Sequence, residues 1–163
     1  MSAEVSLREV VDHLNMLSDE SSAYLNKTTG ELILLSDEEL SAAEEREDVE
    51  GCPEWQRVMI EKAREVLDSD DYLKLPSKFD IHEYRVMQEF CYSVNLPQLS
   101  EQLLRNIRGS GAFGRFKQAI YSLGIEKDWY RFRDEEYQRI AVEWLEVNGI
   151  TYRKDLDAEE RRT

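Results

Sequence analysis

Apolar residues recur at helical spacing over most of the chain and switch to a shorter rhythm once, near the start. Leu7, Val10, Val11, Leu14 and Leu17 share one face behind Ser6 and Glu9, which are spaced as a capping box, and predict a first helix. In 23–35 two short apolar runs flank a polar turn ending in Gly30, the signature of a β-hairpin. Ser36 and Glu39 repeat the capping-box spacing ahead of Leu40. Pro53 suits the first turn of a helix whose face is read as Trp55, Val58, Met59, Ala63, Val66 and Leu67. The run from Tyr72 to Leu75 is expected to add a short strand to the hairpin, at an edge because of Pro76.

Asp80 and Glu83 are expected to open the next helix, with Tyr84, Met87, Phe90, Cys91 and Val94 facing inward. A further helix starts at Asn95 and Pro97, buries Leu99, Leu103, Leu104 and Ile107, and stops at Gly109. Phe113, Phe116, Ile120 and Leu123 mark another, ended by Gly124 and Ile125, a glycine followed by an apolar residue. Trp129 and Phe132 are expected in a short turn. Tyr137, Ile140, Ala141, Trp144 and Leu145 form the last helix, closed by Gly149 and Ile150. The pattern predicts a mainly α (α+β) fold, a multi-helix array with a small N-terminal β-hairpin. It reads as a single helical domain over 1–153, with the hairpin near 23–35, and a charged, frayed tail at 154–163.

Composition fits this picture and adds an asymmetry. Of 163 residues, 41% are hydrophobic and 34% charged, with 7 glycines and 3 prolines, a balance that favours a helical globule over disorder. The net charge of −14 is unevenly spread. Residues 1–82 carry 21 acidic and 8 basic side chains, whereas residues 83–163 carry 14 and 13. The stretch 37–50 holds eight carboxylates against Arg46 alone, either a solvated connector or an acidic binding surface. Cys52 and Cys91 have neither CxxC spacing nor a nearby histidine, which suits free thiols in a reducing compartment. No basic start followed by an apolar run opens the sequence, and no apolar stretch approaches the roughly 18 residues of a membrane span. A cytoplasmic protein without a membrane partner is expected.

Catalytic signatures are missing: HExxH, CxxC, GxSxG, a Walker loop and a calcium-binding loop are all absent. His13 and His82 each stand alone and read as surface or packed residues. With 35 acidic residues, no pair of carboxylates singles itself out as an acid and base. Neither a catalytic residue, a metal nor a cofactor is expected, and the chain reads as a non-enzyme. The strongest chemical candidate is an anion site built from Arg108, Gly109, Ser110, Gly111, Arg115 and Lys117 at a helix start. Arg131 and Arg133 follow, interleaved with Trp129 and Tyr130 as in base-stacking surfaces. The competing reading makes the glycines a turn, the large rings core, and the arginines partners of the acidic half. Net charge disfavours nucleic acid unless the basic patch is segregated.

This stretch also resembles the C-terminal signature of a bacterial family, uncharacterised protein family 0158. The resemblance lies in Gly111, Ala112 and Phe113, then Arg115, Phe116 and Lys117, then Gly124 and Ile125. It continues through Trp129, Tyr130, Phe132 and Arg133, and through Ile140, Ala141, Trp144 and Leu145 to Gly149 and Ile150. Tyr24, Leu25, Thr29, Gly30 and Glu31, then Pro53, Glu54 and Trp55, then 79–90, extend it over roughly 5–150. Gly114 departs from the pattern, which would place a second basic residue beside Arg115. The resemblance implies one bacterial domain with no assigned activity. The expectation is therefore a non-enzymatic interaction or regulatory protein whose acidic half meets a protein partner. The alternative is a phosphate or nucleic-acid binding module using 108–133.

Overall fold

The computed structural model describes residues 4–45 and 50–156, which form a mainly α chain. It divides into two compact units, residues 1–80 with 140–163, and residues 81–139.

In the first unit, β2 (Ser21–Asn26) and β3 (Leu32–Ser36) make the expected hairpin, and β4 (Tyr72–Lys74) pairs on the other side of β2. The order β3-β2-β4 leaves β4 at an edge, ending two residues before Pro76, which has no N–H to extend a ladder. The connecting turn is organised by Asn26. Its side-chain oxygen accepts from the N–H groups of Thr28 and Thr29 at 2.9 and 3.1 Å, and Gly30 supplies the positive φ of 80°.

α2 (Asp37–Glu45) starts from a complete capping box, in which Glu39 N–H donates to the Ser36 hydroxyl and Ser36 N–H donates to the Glu39 carboxylate. It packs on α3 (Glu54–Asp68) through Ala42 and Ala43, against Ile60, Ala63 and Val66, with Leu35 of β3 beneath. The buried stripe of α3 is narrower than the sequence suggests. Two alanines cover little of a neighbouring helix, and Trp55, Val58 and Leu67, expected on the buried face, are exposed.

The first and last strands of this unit meet, which helical periodicity does not foretell. β1 (Val5–Ser6) pairs in parallel with β5 (Tyr152–Arg153). Asp155 then caps α1 (Leu7–Met16) from across the sequence: it accepts from the Ser6 hydroxyl at 2.5 Å and from Arg8 N–H at 2.9 Å. Ser6 in turn accepts from Glu9 N–H at 3.2 Å. Of the stretch 154–163 read as a tail, Asp155 is thus engaged and Leu156 is buried, while 157–163 lie outside the described residues.

Burial by itself raises the Asp155 pKa, but the bonds from Ser6 and Arg8 outweigh it and hold the group below its ordinary value of 3.8. A depressed folded-state pKa contributes stability that is present above the unfolded value and is lost as pH falls through the folded one. Asp155→Ala is therefore expected to cost about 0.5–2 kcal/mol at neutral pH, the range for a lost N-terminal cap. The difference from wild type should close below about pH 3.8, as read from denaturation midpoints across pH.

The second unit consists of α5 (Glu83–Ser93), α6 (Pro97–Asn106), α7 (Ala112–Ser122) and the first part of α8 (Glu126–Val147). Its core is aromatic. Phe90, Phe116 and Trp129 meet edge to face, with centroids 4.8 Å apart for Phe116 and Trp129 and 5.4 Å for Phe90 and Trp129. Phe132 adds an edge on Phe90 at 5.5 Å. α7 ends as expected, with Gly124 at φ 70° and the Ile125 N–H donating to the Ile120 carbonyl at 3.0 Å.

Trp129 and Phe132 belong to no turn: α8 runs unbroken through 126–147, a span with neither glycine nor proline to stop it. The helix boundary expected at Asp80 and Glu83 lies elsewhere. Ser77 and Asp80 form the reciprocal cap of the short α4 (Lys78–Ile81). His82 then breaks the helix in the left-handed region at φ 57°, a conformation uncommon for a non-glycine residue.

Candidate functional site

The sequence-predicted anion site begins at the turn between α6 and α7, and there the structure gives its central arginine another task. Arg115 faces back onto main-chain carbonyls. Its Nε donates to Asn106 at 2.8 Å, and its two terminal nitrogens donate to Ser110 and Arg108 at 2.5 Å each. These acceptors include the last carbonyl of α6, one of the group a helix end leaves without intrahelical partners. The guanidinium therefore clamps the turn. Gly109 and Gly111 both sit at φ 76°, and a Cβ on Gly111 would come 3.1 Å from the Arg115 guanidinium. Arg115, Gly109 and Gly111 thus build the turn itself, and Ser110 contributes its carbonyl to the same clamp.

Arg133 is engaged in a second internal cluster. It donates to Glu83 Oε1 at 3.0 Å and to the Tyr137 hydroxyl at 3.0 Å, with its guanidinium carbon 4.3 Å from the Tyr137 ring centroid. Tyr137 donates to the same Glu83 oxygen. Burial first, and the bond to Glu83 second, push the Tyr137 phenol well above its ordinary value; the Arg133 charge opposes them. Trp129, expected on a stacking surface, is instead only 6% exposed because the aromatic core of the unit needs its ring. Of the predicted site, Arg108, Lys117, Arg131 and Tyr130 remain at the surface, and among the described residues those three cations enter no ion pair.

The structure adds two exposed rings on α7 to the expected residues. Phe113 and Tyr121 are 43% and 73% exposed on α7, and with Lys117 they fall at i, i+4 and i+8 on one face. That spacing was legible, but Phe113 also forms an i, i+3 pair with the buried Phe116, which drew it into the core pattern. Charge follows the two units closely. Residues 81–139 carry 9 basic and 8 acidic side chains, and the remainder 12 and 27.

The acidic candidate surface is the exposed side of α2. Asp37, Glu38, Glu44 and Glu45 are all solvent-facing, and among the described residues Glu38, Glu44 and Glu45 enter no ion pair. The last turn of α2 contains no basic residue, so Glu44 and Glu45 stand at the negative end of the helix dipole. Glu47 and Asp48, part of the same acidic run, lie outside the described residues. Cys91 and His13 offer no competing chemistry. Burial pushes the Cys91 thiol up to about 11, leaving little nucleophilic thiolate near neutral pH, and His13 bonds the Glu9 carbonyl one turn back at 2.8 Å. No described helix is long and apolar enough to cross a membrane.

These features define a mainly helical chain with a charge-segregated surface and an internally braced C-terminal helix. The chain belongs to the uncharacterised protein family UPF0158, whose profile it matches over residues 4–162. A curated UPF0158 protein of Pseudomonas aeruginosa is 30% identical over 66 residues, 40% of this chain and 43% of that protein. The match thus spans less than half of that protein's length. No solved structure matches the chain.

Proposed function

We propose that the chain is a non-enzymatic interaction or regulatory protein of the bacterial cytoplasm, with the exposed face of α2 docking a protein partner that presents a basic surface. The observation that carries this reading is the placement of Glu44 and Glu45. A helix C-terminus favours cations by about 0.3–1 kcal/mol each, so two carboxylates there reduce helix stability. Among the described residues, the buried contacts of α2 run through Ala42 and Ala43 and do not offset this. A function that needs negative charge at this surface accounts for keeping them. The acid-rich remainder of the first unit supplies a long-range field that speeds encounter with a basic partner.

The double variant Glu44→Lys, Glu45→Lys separates binding from folding. It is expected to leave the denaturation midpoint unchanged or raised, because cations suit that helix end. Affinity for the partner should fall about tenfold or more, with the salt dependence flattened. The measurement is capture from a native extract treated with nuclease, at low and moderate salt, on wild-type and variant baits. A stoichiometric basic protein held by wild type and lost from the variant supports the reading. Equal recovery on both baits would remove α2 from the interface.

A further inference from the structure

We infer that the outer face of α7 in the second unit is a binding surface for single-stranded nucleic acid, formed by Phe113, Lys117 and Tyr121. The inference starts from charge. From Gln102 to Ile125 the chain has no carboxylate and four cations, Arg105, Arg108, Arg115 and Lys117, in a protein of net charge −14. Arg115 is turned inward on carbonyls, which holds the Arg108 main chain against the start of α7 and leaves Arg108 and Lys117 solvent-facing. Screening limits the reach of an exposed charge to about 8 Å at physiological ionic strength, so local composition outweighs net charge at such a patch.

The second observation is the exposed rings. Phe113 and Tyr121 stand eight residues apart on one face of α7, about 12 Å along the axis at about 1.5 Å per residue. Lys117 lies midway. Two stacking surfaces with a cation between them match a strand whose bases alternate with phosphates, and stacking accepts any base. A duplex keeps its bases stacked on one another, and an acidic protein segment would use the cations and leave the rings idle. A single strand is the occupant that uses both. Of the rings that sequence alone marks for base stacking, Trp129 is buried and Tyr130 exposed, and the pair of exposed rings with a cation between them lies on α7.

The test is fluorescence anisotropy of the full chain with a labelled oligothymidylate of about twelve nucleotides, at about 50 mM and about 200 mM salt. Tyr121→Ala is expected to weaken binding about fivefold or more and Tyr121→Phe to restore it; Lys117→Glu should weaken it further and reduce the salt dependence. Both positions are exposed, and unchanged thermal melts will show that the variants fold. Inorganic polyphosphate and polyglutamate serve as competitors. Poor competition by both, with the Tyr121→Ala loss, supports the inference. It is overturned by an absence of binding at the lower salt, by wild-type affinity in Tyr121→Ala, or by polyglutamate displacing the strand as well as unlabelled oligonucleotide does.

Discussion

Trp129→Ala is expected to destabilise the 81–139 unit by about 3–5 kcal/mol, the range for removing a buried large aromatic. The ring touches both Phe90 and Phe116 edge to face and lies at the centre of the core that α5, α6 and α7 share with α8. Truncation removes the transfer energy of the ring and leaves a void between two other rings, which cannot collapse without losing their own geometry. Set against a typical total of about 5–15 kcal/mol, such a loss removes at least about a fifth of the stability. The neighbouring Tyr130, 56% exposed, provides the contrast, and Tyr130→Ala should stay within about 0.5 kcal/mol. Urea unfolding followed by circular dichroism will give both values. Comparable small effects at the two positions would mean that Trp129 is a surface ring after all.

That pair of adjacent residues shows what a sequence of this kind reveals. Helix existence was legible wherever a stripe repeated at helical spacing, and stops were legible at Gly109, Gly124 and Gly149, where positive φ suits glycine. The hairpin and its edge strand followed from two short apolar runs and Pro76. What periodicity does not encode is which neighbour covers a stripe. α3 has a wide apolar face, and the alanines of α2 cover only part of it. Cation partners were similarly out of reach. Arg115 and Arg133 look alike in sequence to Arg108 and Arg131, yet the first pair is folded onto carbonyls and onto Glu83, and the second is solvent-facing. The Asp155 cap, 149 positions from Ser6, has no local signature. The candidate surfaces follow the same rule. The acidic run of α2 was visible as composition, whereas the α7 face emerged only once Phe113 and Phe116 had been separated into outside and inside.

Arg133→Met is expected to cost about 2–3 kcal/mol, less than the 3–5 kcal/mol of breaking a fully buried pair, because the Arg133 and Glu83 side chains keep 24% and 23% of their surface in water. The variant retains most of the apolar stem over the Tyr137 ring but removes the Arg133 charge from Glu83. Glu83→Gln should cost less, since an amide oxygen can still accept from both partners. The coupling energy between the two positions, from a double-mutant cycle, should fall at about 1–3 kcal/mol. A coupling near zero would show that the three groups are neighbours and not a brace.

The same cluster predicts an alkaline signature. The Tyr137 phenol is raised above its ordinary value of 10.0, so the folded state binds a proton that the unfolded chain releases first. The associated stability is fully present below about pH 10 and declines as pH rises beyond it. Tyr137→Phe removes that contribution. Its denaturation midpoint should lie below wild type at neutral pH, through the lost bond to Glu83, and should fall less steeply above pH 10. Parallel decline in the two proteins would place the alkaline sensitivity at other tyrosines and leave the Glu83, Arg133 and Tyr137 brace with a packing role alone.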